Sequence, residues 1–362
     1  MNDELDNDNH YHANLRVQMM LKSFKAAILA IAVGLSGCNS ANQTTNPNTS
    51  IPNATSAGSD KELPEVVATT SILCDLTKEI AGNMIDLTCL VPPGTDPHLY
   101  QARPEDRKAI ENAQLILYGG YDFEPGLIKL IEATKNPASK IAVHEVAVPN
   151  PLQTEEHDHG HGHGETTSTA QKQEETVPDP HVWHDAQNGI RMVEVIARSL
   201  EKVSPSNAAV YTSNAQNLNS ELTQVDKWIK SQIATIPANQ RKLVTTHDAL
   251  GYYVQAYGLS FEGALDSFST DERPTAARVR EVVNIIKQTR VPTVFAETTT
   301  SPQLIEAIAR EANVKVSNRE IFADGLGEPG TEGETYKGML IANTRTIVEG
   351  LGGKYTPIDS QQ

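Results

Sequence analysis

Positive charge is scarce in this chain. It carries 30 lysines and arginines against 46 acidic residues, a formal net charge of −16. Nucleic-acid binding wants a basic face, so this balance argues against that class. Cysteine is scarcer still, with three residues at 38, 74 and 89. None lies beside a histidine cluster, which argues against a thiolate metal site. The apolar run Ala26 to Leu35 falls short of the roughly 20 residues that a membrane-crossing helix needs. Two catalytic signatures are missing as well. No His-Glu-x-x-His pair and no Gly-x-Ser-x-Gly elbow occurs, so neither a zincin nor an α/β-hydrolase is indicated.

The N-terminus reads as an export signal. Lys22 and Lys25 precede the apolar run, and Leu35-Ser36-Gly37-Cys38 follows it. This is the small-residue pattern before a lipid-modified cysteine, so residues 1–38 are expected to be a signal peptide with Cys38 as the acylated residue. The first eighteen residues are polar and acidic, unlike a signal peptide, which points to Met19 or Met20 as the start. Residues 39–62 are Asn, Ser, Thr and Ala and cannot bury a core; they read as a flexible tether. Lipid and tether would hold the globular part at a membrane surface, in the periplasm or cell envelope, without a membrane span. In an oxidising compartment Cys74 and Cys89 are either a disulfide or two buried thiols.

The rest of the chain is long enough for two lobes. Strand-like and helix-like stretches alternate from Glu65 onward, which predicts an α/β fold with parallel sheets flanked by helices. The expected first lobe spans 63–204. Residues 151–178 interrupt it as a low-complexity, His-rich loop expected to lack order. Residues 205–237 read as one long rigid helix joining the lobes, with the helix proper at Asn207 to Ile236. Alternation resumes in a second lobe over 238–357.

Eleven histidines are present, and their placement carries the chemistry. Two Asp-Pro-His tripeptides end at His98 and His181. His247 follows the strand-like Leu243 to Thr246 directly, and Asp324 follows the one at Val314 to Val316. In open α/β sheets, ligands sit beyond the carboxyl ends of strands. Each residue alone reads most simply as a surface, capping or turn residue; their joint placement predicts a divalent-metal site between the lobes. Three neutral imidazoles and one carboxylate make a four-donor set for zinc and leave a net charge of +1. The prolines stiffen the ligand loops, which lowers the ordering cost of binding. Glu297 reads either as the partner of a ligand imidazole or as a helix cap. His144 and His184 read as outer or incidental residues. The run His157, His159, His161 and His163 alternates with glycine, so it holds no fixed geometry and reads as an auxiliary metal-collecting loop.

At these motifs the chain resembles the solute-binding lipoproteins of bacterial ABC importers for zinc and manganese. The resemblance rests on Val91-Pro-Pro-Gly-Thr-Asp-Pro-His98, Asp179-Pro-His-Val-Trp183, Thr246-His-Asp-Ala-Leu-Gly-Tyr252 and Phe322-Ala-Asp-Gly-Leu-Gly327. It covers about Leu63 to Tyr355. It implies two α/β lobes joined by a rigid helix, with metal in the cleft on His98, His181, His247 and Asp324. It further implies an ABC permease as partner, a monomer, and no enzymatic reaction. Members selective for manganese often carry glutamate where this chain has His247; zinc-type members carry histidine there and a His-rich loop. The expected cargo is therefore Zn²⁺, with Mn²⁺ the alternative. A surface adhesin or periplasmic metal buffer of the same family is a further reading, and a zinc hydrolase a remote one. His184 departs from the family pattern and is either an extra ligand or a neutral variation.

Overall fold

The computed structural model describes residues 63–155, 176–266, 270 and 274–358. The signal peptide, Cys38, the tether and His157 to His163 lie outside the described residues.

The first sheet forms from β1 (Glu65–Ala68), β2 (Asp86–Cys89), β3 (Leu115–Tyr118) and β4 (Ser139–Ala142), in the order β2-β1-β3-β4. All its pairings are parallel. Parallel neighbours need crossovers, and helices supply them. They are α1 (Ser71–Ala81), α2 (Pro104–Asn112) and α3 (Pro125–Ala133). Local chemistry sets their ends. Thr70 accepts a hydrogen bond from the backbone of Leu73 and starts α1, so β1 ends before it. Proline opens α2 and α3 at the position where its missing N–H costs nothing. A short helix, α4 (Val143–Ala147), follows β4 directly; its five residues are too few to show a helical period.

The interruption at 151–178 is corrected in part. Its two ends pair as an antiparallel ladder, β5 (Gln153–Glu155) with β6 (Thr176–Pro178). The stem is held by Tyr252, whose hydroxyl accepts from the Leu152 backbone and donates to the Asp179 carbonyl.

Two long helices follow, α5 (Ala186–Val203) and α6 (Ala208–Ile233). α6 stops short of the expected Ile236; Pro237 disfavours helical backbone in the residue before it. The second lobe holds β7 (Lys242–His247), α7 (Gly251–Tyr257), β8 (Ser260–Asp266), α8 (Ala276–Thr289), β9 (Thr293–Val294), α9 (Pro302–Ala312), β10 (Lys315–Val316) and α10 (Tyr336–Gly350). β7 pairs with β8 and β9 with β10, all parallel. Phe295 donates its backbone N–H to Val244 of β7 at 3.1 Å and links the two pairs. α10 begins at Tyr336, where Thr335 caps it by accepting from the Gly338 backbone.

One apolar cluster runs through both lobes. It includes Leu76 of α1, Met192 of α5, Tyr211 and Leu222 of α6, and Met339 and Leu340 of α10. α6 packs on α1, α5 and α10. Gly189 of α5 permits the closest approach: a Cβ there would meet the Tyr336 hydroxyl at 2.2 Å. That hydroxyl donates to the Trp183 carbonyl at 2.6 Å. An interface built as shared core resists wide hinge motion. Cys74 and Cys89 are joined as a disulfide, tying α1 to β2. No helix among the described residues is long and apolar enough to cross a membrane.

Candidate metal centre

His98 lies in the loop after β2, His247 ends β7, and Asp324 lies in the loop after β10. All three therefore leave the carboxyl ends of parallel strands. His181 arrives differently, from the β5–β6 stem into the 3₁₀ turn Val182–His184 that precedes α5.

These four side chains converge. One nitrogen or oxygen from each lies within 4.8 Å of the others. His98 Nε2 is 3.4 Å from His181 Nε2. Asp324 Oδ1 is 3.0 Å from His247 Nε2, 3.4 Å from His181 Nε2 and 3.7 Å from His98 Nε2. Donors at 2.0–2.2 Å around a tetrahedral ion sit about 3.3–3.6 Å apart. These four separations, 3.0 to 3.7 Å, bracket that range. All four are buried: His181, His247 and Asp324 wholly, and His98 to 8 % exposure.

Outer partners fix which nitrogen faces the centre. His181 directs Nδ1 to Asp179 at 2.8 Å, and His247 directs Nδ1 to Glu297. A carboxylate accepts, so Nδ1 carries the proton in both rings and Nε2 can offer its lone pair inward. Glu297 also accepts from the backbones of Thr246 and His247, so it holds His247 through both ring and main chain. Thr299 donates to Asp324 Oδ2 at 2.7 Å. Asp96 and Asp179 do the same job in the two Asp-Pro-His motifs. Each accepts at 2.9 Å from the backbone N–H of the histidine two residues on, an Asx turn that sets the ligand loop.

Electrostatics favour a cation here. Burial alone would raise the Asp324 carboxyl, but the neighbouring His247 charge and hydrogen bonds from the three imidazoles hold it well below the usual carboxylate range. Burial would lower His247; the Asp324 and Glu297 charges override it and raise its pKa well above 6.5. His181 is raised too, against burial, by Asp179 and Asp324. The group thus favours positive charge, and a cation arriving there competes with protons.

The loop bearing Asp324 is clamped to the first lobe. Leu326 donates its N–H to Ser71 Oγ at 3.0 Å, and Gly94 donates to the Leu326 carbonyl at 2.9 Å. Gly325 is needed there, since a Cβ would meet Ser71 Oγ at 2.9 Å. On the first-lobe side, Phe123 sets its ring edge-on to His98, with centroids 4.9 Å apart, and also packs on His181. Tyr121 and Asp122 just before it have φ of 52° and 56°, a region that non-glycine residues rarely adopt.

His184 is not one of the converging four. Its Nε2 donates to the Ala323 carbonyl at 2.8 Å. His144 is fully buried, with no partner for either ring nitrogen; burial and the nearby His181 push its pKa down to about 3, which keeps it neutral.

Sequence reasoning missed Asp179, Thr299 and Phe123. The repeated Asp two places before each histidine was a signal for the first. The Thr298-Thr299-Thr300 run gave none for the second.

Residues 66–350 match the family described as ZnuA, zinc-uptake complex component A periplasmic. The manganese ABC transporter substrate-binding lipoprotein PsaA of Streptococcus mitis is 33 % identical over 291 residues, 79 % of this chain and 89 % of that protein. The manganese-binding lipoprotein MntA of Bacillus subtilis is 30 % identical over 336 residues, 92 % of this chain and all of that one. Among solved structures, the periplasmic zinc binding protein TroA from Treponema pallidum superposes with a TM-score of 0.71 at 31 % identity, covering 80 % of this chain and 99 % of that one.

Proposed function

Because this chain belongs to the ZnuA family of zinc-uptake complex components, we propose that it captures Zn²⁺ outside the cytoplasmic membrane and delivers it to the permease of an ABC importer. It is a substrate-binding protein of a metal ABC transporter and not an enzyme. It is extracytoplasmic and membrane-anchored, as relatives named lipoproteins are; the proposed attachment point is the Cys38 thiol.

The convergence of His98, His181, His247 and Asp324 carries the reading. Three of the four donors are imidazole nitrogens, which suit zinc; manganese sites favour oxygen. Four converging donors also match the coordination number zinc prefers. The alternative cargo is Mn²⁺, and the names of the Streptococcus and Bacillus relatives favour it. Zinc outcompetes manganese at almost any nitrogen-containing site, so affinity alone does not name the cargo. The His157–His163 run is proposed to gather metal loosely near the cleft.

The test is metal analysis of protein purified from its own envelope, combined with Zn²⁺/Mn²⁺ competition at controlled free metal. Zinc at one equivalent per chain supports the reading. Manganese retained in the native protein, with zinc present only after exposure to excess, supports the alternative. Deleting residues 155–176 should remove weak binding and leave one tight site; loss of the tight site would make the loop a primary ligand source.

A further inference from the structure

Asp324 presents its two oxygens to different partners. Oδ1 faces the three imidazole nitrogens, at 3.0 to 3.7 Å. Oδ2 accepts from the Thr299 hydroxyl at 2.7 Å. Thr299 sits in a turn just past a parallel bridge. Ile321 donates its N–H to the Ala296 carbonyl, and Thr298 donates to the Ile321 carbonyl, so Glu297 pairs in parallel with Ile321 on the chain that leads to Asp324. Thr300 then donates its N–H to the Glu297 carbonyl at 3.4 Å and closes a turn over Thr298 and Thr299. Glu297 and Thr299, at the start and inside of that turn, each hold one of the second lobe's two converging side chains.

We infer that Thr299 is a specificity-determining positioning residue, restricting Asp324 to one-oxygen ligation and so favouring a four-coordinate cargo ion over ions that want more donors. The inference rests on the proposed metal-capture function. A carboxylate can bind through one oxygen or through both, and the second oxygen is the nearest fifth donor for an enclosed ion. Zinc is satisfied by four donors. Manganese favours oxygen ligands and octahedral geometry. A hydroxyl that engages Oδ2 and fixes the carboxylate rotation withholds the fifth donor. No water-filled route to the group needs to close for this to operate; the selection is made by one hydrogen bond.

Thr299→Val keeps the shape and removes the donor. Zn²⁺ and Mn²⁺ affinities are measured by competition for wild type, Thr299→Val and Thr299→Ser, with the visible spectrum of the Co²⁺-loaded protein as a report on coordination number. In Thr299→Val, zinc affinity should fall about tenfold, the lower end of what losing an outer partner costs. Manganese affinity should hold or rise, so the Zn:Mn preference narrows by about tenfold. The intense bands of four-coordinate Co²⁺ should weaken toward those of a higher-coordinate ion. Thr299→Ser should keep the wild-type ratio and spectrum. A folded Thr299→Val with unchanged ratio and spectrum overturns the inference, as does a Thr299→Ser that behaves like the valine variant. Should Thr299→Val not fold, Thr299→Ala gives the same readout. Failure of wild type to bind either ion in the cleft sinks the function itself; normal wild-type binding with an indifferent Thr299→Val sinks this inference alone.

Discussion

His184 reaches from the first lobe to the backbone carbonyl of Ala323, donating from Nε2 at 2.8 Å, and so holds in place the residue that precedes Asp324. Burial, and after it the charge of nearby His181, drives its pKa down to about 3, which keeps the ring neutral. The histidine that departs from the family pattern is thus a strut between the lobes. Replacing it with alanine opens a cavity and strands a buried carbonyl. We expect His184→Ala to lose about 2–4 kcal/mol of stability and about tenfold in zinc affinity. Thermal melts and calorimetry measure the two losses. Zinc affinity unchanged in a folded variant would show that the Ala323–Asp324 loop is set by the Ser71 and Gly94 contacts alone.

His247 and Glu297 should respond on different scales. His247→Ala removes one of four converging donors, and zinc affinity should drop by more than about 100-fold. Glu297→Gln leaves the ring in place but takes away the carboxylate that orients it, a loss of about 10–100-fold. Isothermal titration of both variants orders them; an inverted order would mean that Glu297, not His247, meets the ion.

Glu124 offers a pH test at a carboxyl that is not one of the four converging side chains. It is wholly buried; Oε1 accepts from Thr69 and from the Gly119 backbone, at 2.6 and 2.7 Å, while Oε2 has no partner. Burial raises its pKa from 4.5 to about 7. A carboxyl whose folded pKa lies above its unfolded value contributes stability that is complete below pH 4.5 and is lost as pH rises through about 7. Glutamine mimics the protonated form. Glu124→Gln should therefore match wild type near pH 4.5 and exceed it above pH 7, by at most about 3 kcal/mol. Denaturant midpoints across that window check it. A variant that is less stable at every pH would show that the carboxylate is stabilised by something besides the Thr69 and Gly119 donors.

The Cys74–Cys89 disulfide closes a loop with a sequence separation of 15. A loop of that size is worth about 3 kcal/mol through restriction of the unfolded chain. Reduction, or Cys74→Ser/Cys89→Ser, should lower the denaturation midpoint accordingly without changing the Zn:Mn preference. A change in metal preference on reduction would tie the β2 edge to the cleft.

Much of the site was legible because its signals are local. Asp-Pro-His is a motif three residues long, and the position of His247 at a strand end follows from the alternating pattern around it. Helices α5 and α6 declared themselves through length and period. One short helix did not: α4 has five residues, too few for a helical period. The strand-like Val314 to Val316 did show, and β10 falls within it. The β5–β6 stem was hidden because its pairing partners are separated by a polar insertion with no hydrophobic alternation.

By itself the sequence determined the class of chemistry: an acidic exported chain, α/β alternation, and histidines at strand ends with a carboxylate to complete the set. Such features are written in residue type and near-neighbour spacing. Only the tertiary structure decided which oxygen of Asp324 faces the imidazoles, that Glu297 and Thr299 hold neighbouring members of the group, and that His184 bonds to the Ala323 carbonyl and is not one of the converging four. Those are contacts between chain segments far apart in sequence, and they exist only once a common core has brought two lobes together.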